Sequence, residues 1–520
     1  MTLPSPRLPI VLGVVAAVAC LGFAAVTGHM WEDYFITFRA SLNLATGNGL
    51  VFQPGERVHT FTSPLGTLLP ALFALGGGDD IAARALWLFR VFSAISLGAA
   101  LFLAARTQMR TGLTPLAVGA AGLAWALDPK TVDFSINGME TALLVFFIVL
   151  TWRTLASGAR LVPLALAFAG LQWTRPDGCV FFGVLGLGWL AFGRADISAF
   201  GARVGLLTRA VAFGTALYVP WLLIAWAYYG SPVPHTILAK ISHHAPGELL
   251  PALLLYPWRL LFGHVALHDV FMPTYFFFGG WPAGLSWIAR IIAVVAALAW
   301  LLPRMTLGGR IASAAFFLGG FYVEYIPRSP WYYPGWQTLG FLAWAHLLNL
   351  MFHTLGRVAA AIFVLVQASL LVATAAQMRT QQTVIENNHR TAIGRWLKAE
   401  AKPGDRVYLE PLGYIGFFSG LKMLDYPGLS SPEVVAARRA GHATHARAIA
   451  HLRPEWIVLR PDQFHTIQAE SPRLLSQEYH VARIFDQRAA IEEISFLPGR
   501  GYLEFDAVYL VFRRGAAARP

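Results

Sequence analysis

The sequence predicts an all-α polytopic membrane bundle of about eleven transmembrane helices, followed by a soluble C-terminal α/β domain. Three observations predict it. Of 520 residues, 56% are hydrophobic and 13% charged, with a mean hydropathy of +0.54, whereas a soluble domain carries roughly one-quarter charged residues. The apolar residues gather into runs of the length that spans, or nearly spans, a hydrocarbon core. The arginines between those runs fall in alternate loops.

The first run, Pro9 to Val26, follows a short stretch with one Arg. A cleaved signal peptide has a shorter apolar core and a small-x-small site, so this run reads as an uncleaved anchor. Further runs occupy 84–104, 114–127, 138–152, 161–174, 178–192, 210–229, 284–302, 311–326, 336–354 and 359–376. With a cytoplasmic N-terminus, the cytoplasmic loops hold Arg106 and Arg110, Arg153 and Arg160, then Arg194, Arg203 and Arg209, Arg304 and Arg310, and Arg357, a positive-inside pattern. The other face receives Glu32, Asp33, Asp128, Asp133, Glu140, Asp177 and the segment 230–248, so chemistry is expected there. Pro64 to Leu75, and roughly 249–280, are too short or too broken by Pro, His and Gly to be spans, and read as re-entrant or interfacial helices.

After Ala376 the composition becomes that of a soluble domain, giving a division into 1–376, with a first outer loop at 28–63, and 377–520. An odd number of spans puts the second part on the outer face of a bacterial inner membrane. Ile393–Ala399 reads as a helix, and Arg406–Glu410, Pro454–Leu459 and Ala507–Arg513 as strands. Gly413 to Gly420 lacks the GxGxxG spacing, so no nucleotide site is assigned. The net charge of +12 lies in short loops that orient helices rather than in a nucleic-acid-binding stripe. Cys20 and Cys179 both fall inside apolar runs, so no disulfide or CxxC metal framework can be read from them.

The most informative segment follows the first run: Trp31-Glu32-Asp33-Tyr34-Phe35-Ile36-Thr37-Phe38-Arg39, continuing to Asn43 and closing with Gly47-Asn48-Gly49. It reads as a short juxtamembrane helix with a Gly/Asn stop. Helical spacing puts Glu32, Arg39 and Asn43 on one face and Asp33 and Thr37 on an adjacent one. Neighbouring carboxylates at a membrane boundary repel, and burial raises a carboxyl pKa, so one of the pair is tuned toward a general base; the other reading is an exposed acidic pair anchoring a helix. Glu140 and Asp177 lie just inside apolar runs, where a charge costs roughly 2.5 to 3.5 kcal/mol at the bilayer centre, so each faces a polar cavity or ties to a neighbouring helix. His235, His243, His244, His264 and His268 match no familiar ligand spacing, so no metal site is assigned; a divalent cation is compatible with the chain, and no other cofactor is called for. Trp331-Tyr332-Tyr333 suits either interface anchoring or sugar stacking.

The stretch Glu32 to Leu69, with ITFR, NLATGNGLVF, PGERV and TSPLGTLL, resembles the first extracytoplasmic loop of GT-C fold, polyprenyl-phosphate-sugar-dependent glycosyltransferases of the arabinofuranosyltransferase-like type. Asn137-Gly138-Met139-Glu140-Thr141, Thr174 to Gly178, Tyr228 through His235 and Thr236 to Lys240, and Glu410 to Gly416 through Asp425 to Leu429 resemble that group in the same order. Two departures stand out: Glu32 then Asp33 where the family has two Asp, and His235 where Asn is common.

The resemblance implies a membrane glycosyltransferase with a polyprenyl-phosphate sugar donor, a glycan, lipid or protein acceptor, and membrane lipids as its surroundings. It implies that Asp33, with Glu32 second, is the base on the acceptor hydroxyl. A phosphate leaves without protonation, so cations that hold it suffice beside the base. Arg39, Arg175, Lys240 and Arg328 are the candidate phosphate partners, and Asn43, Glu140, Asp177 and His235 complete the binding set. Each cation also has a purely structural reading: Arg39 paired with Glu32, Arg175 with Asp177, Lys240 snorkelling to headgroups. A transporter or flippase of lipid-linked saccharides, and a non-catalytic envelope assembly factor on the same fold, are the alternative functions. A transporter would show matched broken helices and midplane polar groups, but here the polar residues crowd one boundary and no internal repeat is visible.

Overall fold

The computed structural model describes residues 7–76, 80–193, 199–240, 246–326, 329–351, 354–494 and 497–515. The chain runs α1 (Arg7–Thr27), α2 (Glu32–Ala45), α3 (Pro64–Ala74), α4 (Ile81–Arg110), α5 (Pro115–Ala126), α6 (Pro129–Ile136), α7 (Thr141–Ala156), α8 (Leu161–Thr174), α9 (Gly178–Phe192) and α10 (Phe200–Tyr229). It continues through α11 (His235–Lys240), α12 (Pro246–Phe262), α13 (Ala283–Leu298), α14 (Leu307–Tyr325), α15 (Tyr333–Leu350) and α16 (Thr354–Gln381). Over the described residues, each apolar run of the sequence is largely helical. Among those residues five helices qualify by length and composition as membrane spans, or six if α6 and α7, bent by 118° at their joint, count as one. Several others, α5, α8 and α9 among them, are shorter apolar helices. The segments read as re-entrant or interfacial are α3, and α12 with the 3-10 turns that follow it.

Local sequence explains many of the boundaries. Ser63, Thr114 and Asp128 each precede a Pro and accept a hydrogen bond from a backbone N–H of the first turn, starting α3, α5 and α6. Gly230, at φ +77°, ends α10 in a left-handed cap.

The polar lead-in from Arg379 does not break the chain into a linker. A single helix of 45 residues extends from Gly356 to Glu400, its segment Gln382–Arg390 wound as π-helix before α17 (Thr391–Glu400). The sheet that follows has β1 (Arg406–Leu409), β2 (Lys422–Asp425), β3 (Trp456–Leu459), β4 (Tyr479–Asp486) and β5 (Val508–Arg514) in the order β2-β1-β3-β5-β4. β1 pairs in parallel with β2 and β3, and β5 antiparallel with β3 and β4. Strands β2 and β4 were not read from the sequence: β2 has only Met423 and Leu424 between two charged residues, and β4 mixes polar and apolar residues around a register shift between Val481 and Arg483. Between β1 and β2 lies α18 (Leu412–Ser419), and after β2 come α19 (Pro432–Arg439) and α20 (His445–Leu452).

Two joints position the functional region. Arg90 of α4, buried, donates to the carbonyls of Gly28 (3.1 Å), His29 (2.7 Å) and Ile136 (2.9 Å), tying the α1–α2 turn to the α6–α7 turn. His29 Nδ1 lies 2.6 Å from Asp133 Oδ1 across the same seam. Gly138, at φ +100°, closes it, because a Cβ there would sit 2.3 Å from the Tyr34 ring.

Candidate active site

The N-terminal half of α2 is clasped between the bundle and the C-terminal domain, and successive residues, 100° apart on a helix, face different neighbours. Glu32 faces the C-terminal domain. It accepts from Arg390 Nη1 at 3.1 Å and from the backbone N–H of Gly413, where a Cβ would lie only 2.0 Å from the Glu32 carbonyl oxygen. Arg39 and Asn43 follow Glu32 on this side. The Arg39 guanidinium donates to the carbonyls of Gly416 (2.8 Å) and Gly420 (3.0 Å) and to Gln53 Oε1 (3.0 Å), stacked 4.4 Å over Phe52. It is not paired with Glu32. Asn43 donates to the carbonyls of Val51 (2.7 Å) and Phe52 (3.1 Å), folding the outer loop back on α2. Both side chains are spent on the scaffold, because the C-terminal domain, brought in from far along the chain, occupies the space into which they point.

Asp33 faces the other way, into a cavity of about 290 Å³. Its walls are Thr37 of α2; Thr60, Thr62 and Ser63 of the outer loop; Glu140 at the α6–α7 bend; Arg175 between α8 and α9; Thr236 and Lys240 of α11; Trp331 and Tyr332 before α15; and Leu429 of the C-terminal domain. Among the described residues the Asp33 carboxylate has no hydrogen-bond or ion-pair partner. Burial pushes its pKa up, opposed by the charges of Lys240 and Arg175. Arg175 grips Asp177 in a two-point contact (2.9 and 3.2 Å), approaches Glu140 at 3.6 Å and lies 4.7 Å over the Tyr332 ring. Asp177 also accepts from Tyr322 Oη at 3.2 Å. It therefore orients Arg175 from behind rather than lining the cavity.

The sequence-derived set thus divides. Asp33, Glu140, Arg175 and Lys240 meet in one cavity, with Asp177 behind it; Glu32, Arg39 and Asn43 serve the domain contact. His235 lies at a second, smaller pocket, and Arg328, His243 and His244 lie outside the described residues. Among the described residues no group of three or more His, Cys, Asp or Glu side chains is arranged to hold a metal ion. Sequence reasoning missed the hydroxyl-bearing wall from Thr60 to Ser63, whose signal was a polar run directly before an apolar helix. It also missed Leu429. That residue reaches the cavity because Asp425 accepts from the backbone N–H groups of Leu429 and Ser430 and from the Ser430 and Ser431 hydroxyls, shaping the turn after β2.

The pKa values and the geometry point to different carboxylates. Burial, with Glu386 and Asp33 adding to it against Arg390 and the Gly413 N–H, pushes Glu32 up to about 7, nearer neutrality than an ordinary carboxyl group. Both of its oxygens are engaged, however, and it does not line the cavity. Reach to a proton comes before pKa in choosing a base, and of the two carboxylates Asp33 is the one that lines the cavity.

A family described as a domain of unknown function (DUF8728) matches residues 376–506. The terminal beta-(1->2)-arabinofuranosyltransferase of Corynebacterium glutamicum is 29% identical over 268 residues, covering 46% of this chain and 38% of that protein. Its namesake in Mycobacterium tuberculosis is 28% identical over 252 residues, covering 45% and 38%. The matches thus take in well under half the length of these relatives. Among solved structures, ArnT from Cupriavidus metallidurans bound to undecaprenyl phosphate superposes with a TM-score of 0.52 at 14% identity, covering 98% of this chain and 99% of that one. The fold is that of ArnT, a GT-C fold. In sequence, part of the chain is similar to the arabinofuranosyltransferases.

Proposed function

We propose that this chain transfers a sugar from a polyprenyl-phosphate donor to a hydroxyl of an extracytoplasmic glycan, lipid or protein, with Asp33 as general base. By likeness to the arabinofuranosyltransferases above, arabinofuranose is the first sugar to test. The observation that carries the reading is a partially desolvated, unpartnered carboxylate in a cavity that also holds Arg175 and Lys240.

The step balances with these groups alone. The acceptor oxygen attacks the anomeric carbon from the face opposite the phosphate, and its proton passes to Asp33. The bond between the anomeric carbon and the phosphate oxygen breaks, and the lipid phosphate leaves as an anion without needing a proton. Lys240 and the Arg175 edge not held by Asp177 stabilise that charge, Lys as a point charge and Arg through directed N–H groups. Glu140 and Asp177 fix the plane of Arg175. Trp331 and Tyr332 offer the donor sugar apolar faces, and the threonine hydroxyls offer it hydrogen bonds. The displacement inverts the anomeric centre.

The positive-inside arrangement of arginines supports a cavity and C-terminal domain on the periplasmic side of the inner membrane. Protease added to intact spheroplasts should then cut within 401–515; protection of that region would reverse the orientation. The test of the chemistry is Asp33→Asn, assayed for transfer from a polyprenyl-phosphate arabinofuranose in reconstituted vesicles. The variant should fold, insert and bind donor but not transfer sugar; undiminished transfer would remove Asp33 from the mechanism.

A further inference from the structure

Beside the reaction cavity lies a second pocket of about 150 Å³, walled by Arg57, His59, Tyr229, Ser231, His235 and Pro432, among others. The two cavities share a wall. The backbone N–H of His235 donates to the carbonyl of His59 at 2.7 Å. The residues that follow each histidine, Thr60 and Phe61 on one segment and Thr236 and Ile237 on the other, line the reaction cavity.

His59 is 3% exposed, and neither of its ring nitrogens has a partner; His235 Nε2 is likewise buried and unpartnered. An imidazole buried with both nitrogens unpaired forfeits the hydrogen bonds it made in water, so in a resting fold it is a cost that a ligand can offset. The ring itself is well held, stacked on Tyr229 at 4.6 Å and 6°. Tyr229 is fixed by donating to the Leu50 carbonyl at 2.6 Å.

We propose that this pocket is a subsite for one sugar ring of the acceptor, held by His59 and His235, so that the neighbouring hydroxyl of the acceptor reaches the reaction cavity. The inference rests on the glycosyl-transfer reading and assigns the acceptor side of it. Burial lowers the pKa of His59 to about 4 and also lowers that of His235, so both rings are neutral at physiological pH. Neutral His59 offers one donor and one acceptor, the pairing a sugar hydroxyl asks for, while His235, whose ring also meets the Ser431 backbone, offers Nε2. A metal ion would want a third ligand, and no such cluster exists among the described residues. Pro432 comes from the C-terminal domain, so the pocket is complete only when that domain is docked.

The experiment is a titration of the full-length protein in detergent with methyl arabinofuranoside. His59→Phe keeps the stacked ring and removes both nitrogens; His235→Leu, at a half-buried position, is the second variant, with a thermal midpoint recorded for each. Wild type and Asp33→Asn should bind the glycoside alike, and each histidine variant about tenfold more weakly, the loss of a hydrogen-bonded pair. Unchanged binding by His59→Phe and His235→Leu, no saturable binding by wild type, or binding that requires added zinc would each overturn the subsite. Transfer that survives Asp33→Asn while glycoside binding is lost only in the histidine variants would sink the base assignment and leave the subsite standing.

Discussion

Two clusters of charge flank α2, one saturated and one left open. On the Glu32 side, Arg390 donates to Glu32 (3.1 Å), Glu386 (3.0 Å) and Asp506 (2.7 Å), and Asp506 also accepts from Arg460 (2.7 Å) and Tyr509 (2.6 Å). On the Asp33 side, Asp33 and Lys240 have no partner within hydrogen-bond distance among the described residues, and Arg175 keeps only a loose 3.6 Å approach to Glu140 beyond its grip on Asp177. Buried charges in a stable fold are normally paired. The first cluster obeys that rule and locks the C-terminal domain to the bundle. The second departs from it around a cavity, the arrangement of a site whose missing partners arrive with substrate.

The contrast can be broken at five points, taken from the largest expected effect to the smallest. Asp33→Asn should lower sugar transfer by about 10² to 10⁴-fold, the contribution of a positioned base, with the thermal midpoint nearly unchanged because no ion pair is lost. Arg390→Met should do the reverse. It strands Glu386 as a buried carboxylate without an ion pair and leaves Asp506 to Arg460 and Tyr509 alone, a loss of about 3–5 kcal/mol, read as a lower unfolding midpoint in detergent.

The same cluster predicts acid sensitivity. Burial alone would raise Asp506, but Arg390 and Arg460 outweigh it and hold its pKa at about 2. A depressed carboxylate stabilises the fold above its unfolded value, about 3.9, and that contribution fades as pH falls toward the folded value. Wild type should therefore lose stability over this interval, with Asp506→Asn flatter there.

Lys240→Met removes a charge that lowers the Asp33 pKa. Asp33 must be ionised to accept a proton, so the acid limb of the kcat profile should move to higher pH, along with weaker use of the donor. A limb that stays put would separate Lys240 from the base. The smallest effect is expected from Glu32→Gln: transfer close to wild type and a stability loss of about 1 kcal/mol, since Arg390 retains two other carboxylates. Loss of transfer on the scale of Asp33→Asn would erase the distinction between the two clusters.

Much of this was legible in the sequence. The apolar runs, their helical form and the gathering of Asp33, Glu140, Arg175 and Lys240 at one end of the bundle followed from composition, alternation of arginines and the order of short motifs. The structure places two members of the expected binding set elsewhere: Arg39, read as a phosphate partner, and Asn43 are both consumed in holding the outer loop and α18. The domain boundary was also blurred. Composition changes near Ala376, but the helix does not stop there, because helical hydrogen bonding continues through the polar π-helical turns to Glu400.

The sequence alone determined which segments are helical and apolar, where the arginines lie and which polar motifs fall at one boundary, because periodicity and hydrophobicity are local properties of a chain. Only the tertiary structure decided that Asp33 rather than Glu32 faces the cavity. Local spacing fixes the angle between two neighbouring side chains but not the direction of either, and that direction was set by partners 358 and 381 residues away, Arg390 and Gly413, closing over Glu32.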